Sequence, residues 1–238
     1  MPASNRKKKR IQPIVALRAL RRLIADPEQT EEVFNVIDAL SGPSLENGLV
    51  RFKSLPVGQR ILRENVVLLD TLRDRGYLST LPKNSLGAHY LDFVIRENLT
   101  ADGLVEASET VGYDDTDKEL NLFGNRQRDM HDLWHTVTQY GRDTLGEACL
   151  LAFTYAQTRN RGLGVICLAG CLELRQNYGM EVFKAAWRGY QDGKRAAWLP
   201  GQDWEHLLTL PIDEVRTQLG IVAPAQYTTL FHAHPLPA

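Results

Sequence analysis

The sequence predicts an all-α fold, built as a single compact multi-helix domain. Three observations carry this. Apolar residues recur at helical spacing along most of the 238 residues. Glycine and proline fall at the ends of those segments rather than inside them. Alternating patterns of the kind a strand needs are scarce. The first segment sets Ile14, Leu17, Leu20, Leu23 and Ile24 at helical spacing, and Pro27 stops it. Thr30 to Leu40 gathers Val33, Val36, Ile37 and Leu40 on one face before Gly42-Pro43. Val66 to Leu78 repeats the pattern with Val66, Leu69 and Leu72, and Gly76 lies near its end. Leu86 to Glu97 brings Tyr90, Phe93 and Val94 together, while Gly112 to Asp117 reads as a loop. Arg126 to Tyr140 is predicted helical and closed by Gly141. Leu145 to Gln157 and Leu163 to Tyr178 are apolar on nearly every side, which predicts either central core helices or the lining of a cavity for a long apolar ligand. Met180 to Ala197 and Pro211 to Leu219 complete the set.

Composition narrows the function classes. Residues are 43% hydrophobic and 24% charged, which excludes a disordered chain. The net charge of −1 excludes a globally basic nucleic-acid binder, so no nucleic-acid partner is expected. That balance hides an asymmetry. Arg6, Lys7, Lys8, Lys9, Arg10, Arg18, Arg21 and Arg22 precede the first acidic residue, Asp26, so the first 25 residues carry +8 and the rest carries −9. Such a stretch is attracted to an anionic membrane surface. The expected division is a basic, disordered arm at 1–10, a helical domain at 11–225 and a tail at 226–238. The arm lacks the apolar core and cleavage site of a secretory signal, while its Arg-rich, acid-poor character is compatible with a mitochondrial presequence. The longest apolar run, Ala148 to Ala156, is interrupted by Thr154 and falls well short of the roughly 20 residues of a spanning helix. Cys149, Cys167 and Cys171 do not suggest a disulfide framework.

The stretch that carries chemistry is His131-Asp132-Leu133-Trp134-His135, followed by Glu147. Two imidazoles four residues apart project from one helical face, one turn apart, as two ligands of one ion require. Asp132 stands about 100° round the helix from His131, near enough for a carboxylate to join. A turn at Gly141 and a second, antiparallel helix would return Glu147 to the histidines. Two imidazoles with one or two carboxylates suit a divalent metal, zinc first, with iron, manganese, cobalt and magnesium compatible. Each residue also has a plainer explanation. Either histidine could be a hydrogen-bonded core residue, Asp132 a solvated charge, and Thr144-x-x-Glu147 a capping box. The zincin pattern His-Glu-x-x-His is approached but not met, because the shorter Asp132 fills the place of the general base.

Taken together, His131-Asp132-x-x-His135 and Glu147 resemble the signature of the fourth Coq protein family of ubiquinone biosynthesis. Asp117-x-Glu119-Leu120, Arg126-x-Arg128, Leu81-Pro82 and Ser85-Leu86-Gly87-x-x-Tyr90 resemble its upstream segments, with Asn84 replacing a usual glycine. Trp204-Glu205, Leu207-Leu208, Pro211 and Glu214-Val215-Arg216 resemble its C-terminal stretch. The resemblance implies an all-α protein with His131, Asp132, His135 and Glu147 as metal ligands. It also implies an apolar tunnel for a polyprenyl chain, for which Leu150, Phe153, Leu163 and Leu168 are the candidate lining residues. The implied activity is decarboxylation of a polyprenylated 4-hydroxybenzoate precursor, with hydroxylation of the same ring carbon. The alternative is a non-catalytic scaffold that binds prenyl lipid and organises partner enzymes. Asp132 and Arg128 are the candidate catalytic residues, Arg128 as a clamp for the substrate carboxylate beside Arg126. The implied partners are the polyprenylated benzoate or quinone precursor, other ubiquinone biosynthesis enzymes and a membrane surface, with a homodimer also allowed. The location expected with this reading is the cytoplasmic face of a bacterial inner membrane, in preference to the mitochondrial inner membrane.

Overall fold

A computed structural model describes residues 10–26, 29–99 and 117–233. The basic stretch 6–9, Pro27 and residues 112–116 of the expected loop lie outside these. Among the described residues the chain is helical throughout and no strand forms; a β-bridge joins Ser85 to Pro211. In order, α1 is Pro13–Ala25, α2 Thr30–Leu40, α3 Ser44–Lys53, α4 Pro56–Glu64, α5 Leu68–Arg73, α6 Arg75–Thr80 and α7 Leu86–Arg96. After residues 100–116 come α8 Lys118–Asp129, α9 His131–Thr138, α10 Thr144–Thr158, α11 Arg161–Tyr178 and α12 Glu181–Arg195. A 3-10 turn at Leu199–Gly201 leads to the short α13 Trp204–Leu207, then α14 Ile212–Leu219 and α15 Ala225–Ala233.

Local chemistry explains where these elements begin. Ser85, Asp117, Asp143 and Asn160 each accept a backbone N–H in the first turn of α7, α8, α10 and α11. Two predicted helices are split. The segment expected over 66–78 becomes α5 and α6, because Asp74 accepts from the Tyr77 N–H and restarts the helix. The segment expected over 126–140 breaks at Met130, leaving α9 as its own short helix with the histidines in it.

The centre of the molecule is α10, buried on nearly every side as its composition requires. Its close neighbour is α12, where Gly189 and Gly193 face it. A side-chain carbon at Gly189 would stand 2.5 Å from the Cys149 carbonyl oxygen, and one at Gly193 2.6 Å from that of Phe153. Gln157 locks this crossing, donating to the Gly193 carbonyl at 2.6 Å and accepting from the Leu199 N–H at 2.8 Å. Around this pair, Tyr90, Phe93, Leu133, Trp134, Leu145, Leu150, Phe153, Val182, Trp204 and Val215 form the main core.

Several expectations change here. Of the four candidate tunnel residues, Leu150 and Phe153 pack into the main core and Leu163 is buried. Leu168 is 55% exposed on an open groove with Leu20, Ile24, Val165 and Leu172. They do not share one lumen, because the face of α10 that carries Leu150 and Phe153 is filled by its neighbours. α11 is not a central helix, since Leu168 and Leu172 on it face outward. On α1 the buried residues are Ala16 and Ala19, while Ile14, Leu17 and Ile24 are exposed. Ala19 is buried with Val36 of α2, and Leu20 and Leu23 pack partly buried against them. Arg22 and Glu32 clip the two helices together, with one N–H···O contact at 2.8 Å. The stretch expected as a tail from 226 begins inside α15, whose Tyr227 and Leu230 lie in the main core.

Candidate metal centre

The centre is assembled from α9, the turn after it and the first turn of α10. His131 and His135 lie one turn apart on α9, with ring centroids 4.7 Å apart. Gln139 ends α9 in the left-handed conformation, at φ +64°, and reverses the chain. Asp143 then starts α10, accepting from the Leu145 and Gly146 N–H groups at 3.1 and 3.0 Å. Gly146 is required there, since a side-chain carbon would meet the Gly141 carbonyl oxygen at 2.1 Å. One residue later Glu147 faces back to the histidines. Its Oε1 lies 3.3 Å from His135 Nε2 and its Oε2 3.8 Å from His131 Nε2. One ligand atom each from His131, His135 and Glu147 falls within a 4.8 Å span.

The ring nitrogens pointing away from this focus are both engaged. His135 Nδ1 stands 2.9 Å from the Tyr140 carbonyl oxygen. A carbonyl only accepts, so Nδ1 carries the proton, and in the neutral ring Nε2 presents a lone pair. That lone pair is fully buried, faces the Glu147 carboxylate and finds no hydrogen-bond donor. A buried lone pair and a half-buried carboxylate face to face repel unless a proton or a cation lies between them. This is the observation by which the residues fit a divalent metal. On His131 the Nδ1 lies 3.3 Å from Asp132 Oδ1. Carboxylate and carbonyl partners of this kind orient imidazole ligands in metal sites. Asp132 therefore sits behind His131, and its carboxylate is not among the atoms that converge.

Burial and neighbouring charge oppose each other at these side chains. Burial presses the His131 imidazole towards its neutral form, but Asp132 and Glu147 outweigh it, so its pKa is raised. Burial works against the charged forms of Asp132 and Glu147 too. The neighbouring histidines prevail and hold both carboxylates below their ordinary range. Phe93 of α7 stacks on the His135 ring at 5.8 Å and closes that side. A small cleft beside His135 is lined by His89, Phe93, Arg96, Gln139, Tyr140 and Arg216, among others.

The two arginines expected as carboxylate clamps are otherwise engaged. Arg126 is buried and grips Glu205 with two bonds, at 2.6 and 2.7 Å, tying α8 to α13. Arg128 is held by Asp129 Oδ1 at 2.8 Å. Sequence reasoning passed over a third cation. Arg142, in the turn between α9 and α10, is exposed and makes no hydrogen bond or ion pair among the described residues. Its charge acts on His131, Asp132 and Glu147 together. Its place between Gly141 and Asp143 was the available signal, because that turn is what joins the two ligand helices.

Similarity to known proteins identifies the family. The family model described as "Coenzyme Q (ubiquinone) biosynthesis protein Coq4" matches residues 7–225. The mitochondrial ubiquinone biosynthesis protein of Podospora anserina is 32% identical over 174 residues, 72% of this chain and 56% of its own length. That of Meyerozyma guilliermondii is 30% identical over 201 residues, 83% of this chain and 62% of its own. The chain thus spans little more than half the length of these curated relatives. A crystal structure from Nostoc punctiforme, of a protein assigned provisionally to ubiquinone biosynthesis, shares the fold. Its TM-score is 0.63 at 21% identity, covering 89% of this chain and 99% of that one. The expected bacterial inner-membrane location does not stand, because these curated relatives are named as mitochondrial proteins. With 7–225 matched by the family model and the His131, His135 and Glu147 side chains converging in space, the chain belongs to the Coq4 family of coenzyme Q biosynthesis proteins.

Proposed function

We infer that the chain acts in ubiquinone biosynthesis as a metal-dependent decarboxylase of a polyprenylated 4-hydroxybenzoate, a proton taking the ring position from which carbon dioxide leaves. The observation that carries this reading is the buried, donorless Nε2 of His135 facing Glu147. His131, His135 and Glu147 would hold the ion, zinc being the first candidate for this donor set. A divalent metal there supplies a Lewis acid that stabilises negative charge developing on the substrate. Asp132 keeps His131 oriented through Nδ1. Tyr140, through its carbonyl, does the same for His135. Arg142 replaces Arg128 as the residue that receives the substrate carboxylate, since among the described residues it makes no hydrogen bond or ion pair while Arg128 is held by Asp129.

The open groove between α1 and α11 offers the prenyl chain a mainly apolar volume of about 480 Å³. The exposed Ile14 and Leu17, flanked by Arg10, Arg18 and Arg21, suit an anionic membrane from which such a substrate is drawn. Other enzymes of the pathway would be met at the same surface.

The test pairs metal content with chemistry. Wild-type protein purified with its metal should bind about one ion per chain and turn over a short-chain prenyl hydroxybenzoate, releasing carbon dioxide. His131→Ala with His135→Ala should lose both. Full ubiquinone synthesis by cells carrying the double variant would overturn the reading. Tight substrate binding with no product in a single turnover would favour the lipid-binding scaffold instead.

A further inference from the structure

The metal reading leaves Tyr227 of α15 unused, although it touches both halves of the centre. Its phenol oxygen accepts from the Gly141 N–H at 3.0 Å and donates to Asp143 Oδ2 at 2.5 Å. Gly141 follows Tyr140, whose carbonyl holds His135 Nδ1. Asp143 caps α10, the helix that presents Glu147, and its carbonyl accepts from the Glu147 N–H at 2.9 Å. One hydroxyl therefore ties the group that orients His135 to the cap that aims Glu147. The ring supports the same turn, standing edge-on to Tyr140 with centroids 5.6 Å apart. The fit is close. A side-chain carbon on Gly141 would stand 2.4 Å from the Tyr227 oxygen, so the turn has room for that hydroxyl only because residue 141 is glycine. Tyr227 is buried, and it lies beyond residue 225, where the family match ends.

We propose that Tyr227 is a positioning residue for the metal centre: its hydroxyl bridge between Gly141 and Asp143 sets the spacing of His135 and Glu147 and holds His135 in the form with Nδ1 protonated. This rests on the reading of that centre as a metal site. Without the hydroxyl, the Gly141 N–H and one Asp143 oxygen lose a buried partner, and the turn can relax away from His135. Outer partners of this kind are worth about tenfold to a hundredfold in metal affinity.

The experiment compares wild type, Tyr227→Phe and Leu230→Ala. The first variant removes only an oxygen and keeps the ring. The second trims another buried side chain of α15, one that can neither donate nor accept a hydrogen bond in the turn. Cobalt(II) is titrated into metal-free protein, with affinity set by chelator competition and geometry read from the visible ligand-field bands. Histidine-labelled protein without metal is followed by long-range proton–nitrogen NMR, which reports the protonated nitrogen of His135. Tyr227→Phe should bind cobalt at least tenfold more weakly, shift the bands and weaken the His135 Nδ1–H signal. Leu230→Ala should lower the melting temperature and change neither readout. Wild-type affinity and an unchanged His135 signal in Tyr227→Phe would overturn the proposal while leaving the metal reading intact. Equal losses in Leu230→Ala would overturn it as well. A wild-type chain that takes up no cobalt would remove the metal reading and this proposal together.

Discussion

His131 and Asp132 are adjacent in sequence, yet the structure gives them different tasks. Asp132 projects to the Nδ1 side of the His131 ring, 3.3 Å away, while Nε2 looks towards Glu147. A carboxylate in that position keeps the ring from turning and makes it a stronger donor. Asp132→Asn keeps the shape and removes the charge. It should weaken metal binding by about tenfold to a hundredfold without abolishing it, as chelator competition would show. A loss as complete as that of His135→Ala would instead make Asp132 a direct ligand, as the spacing alone first suggested. Arg126 illustrates the limit of reading charge from sequence. Arginine two residues from Arg128 and five from His131 looked available for a substrate, but Glu205, 79 positions later, fills its guanidinium.

At the scale of elements, α1 is held by a small apolar cluster of Ala19, Leu20 and Leu23 with α2 and by the Arg22–Glu32 clip. The Arg22 guanidinium holds the Glu32 carboxyl below its ordinary pKa of 4.5. A carboxylate depressed in this way adds stability at pH values above its unfolded pKa, and the gain is lost as pH falls through the folded one. Glu32→Gln should therefore lower the melting temperature at pH 7 by about 1–3 °C. The gap to wild type should close as pH drops below about 4, in thermal scans followed by circular dichroism. A gap that persists unchanged at pH 3 would assign the effect to packing rather than charge. The helix boundaries teach a related point. Apolar periodicity runs straight through Asp74 and Met130, because it records which face is buried and not where the backbone hydrogen bonds are interrupted.

At the scale of the whole molecule, the candidate metal centre and the apolar groove are separate features. The centre is built by α9 and α10, the groove by α1 and α11. Exposed apolar residues on α1 stand with the cations Arg10, Arg18 and Arg21. Leu17→Glu should cost little stability, since Leu17 is already 49% exposed. It should reduce binding to vesicles containing anionic lipid at least severalfold in a flotation assay. Binding of the wild type should weaken as salt rises. Equal binding by variant and wild type would detach this face from the membrane.

Much of this protein was legible in the order of its residues. Helical periodicity alone gave the fold class, since an all-α chain must show its buried faces at a spacing of 3.6. The pair His131 and His135 is a local fact, because one turn of helix sets it. Glu147 was within reach for the same reason, one tight turn further on. What needed the tertiary structure were relations between distant residues. Glu205 on Arg126, Phe93 on His135 and Tyr227 under the turn leave no periodic trace, because side chains meet there across 79, 42 and 86 positions of chain. The outward face of α1 was likewise decided by packing: Ala16 and Ala19 are buried with Leu20 and Leu23 packed partly beside them, and Ile14, Leu17 and Ile24 were left outside.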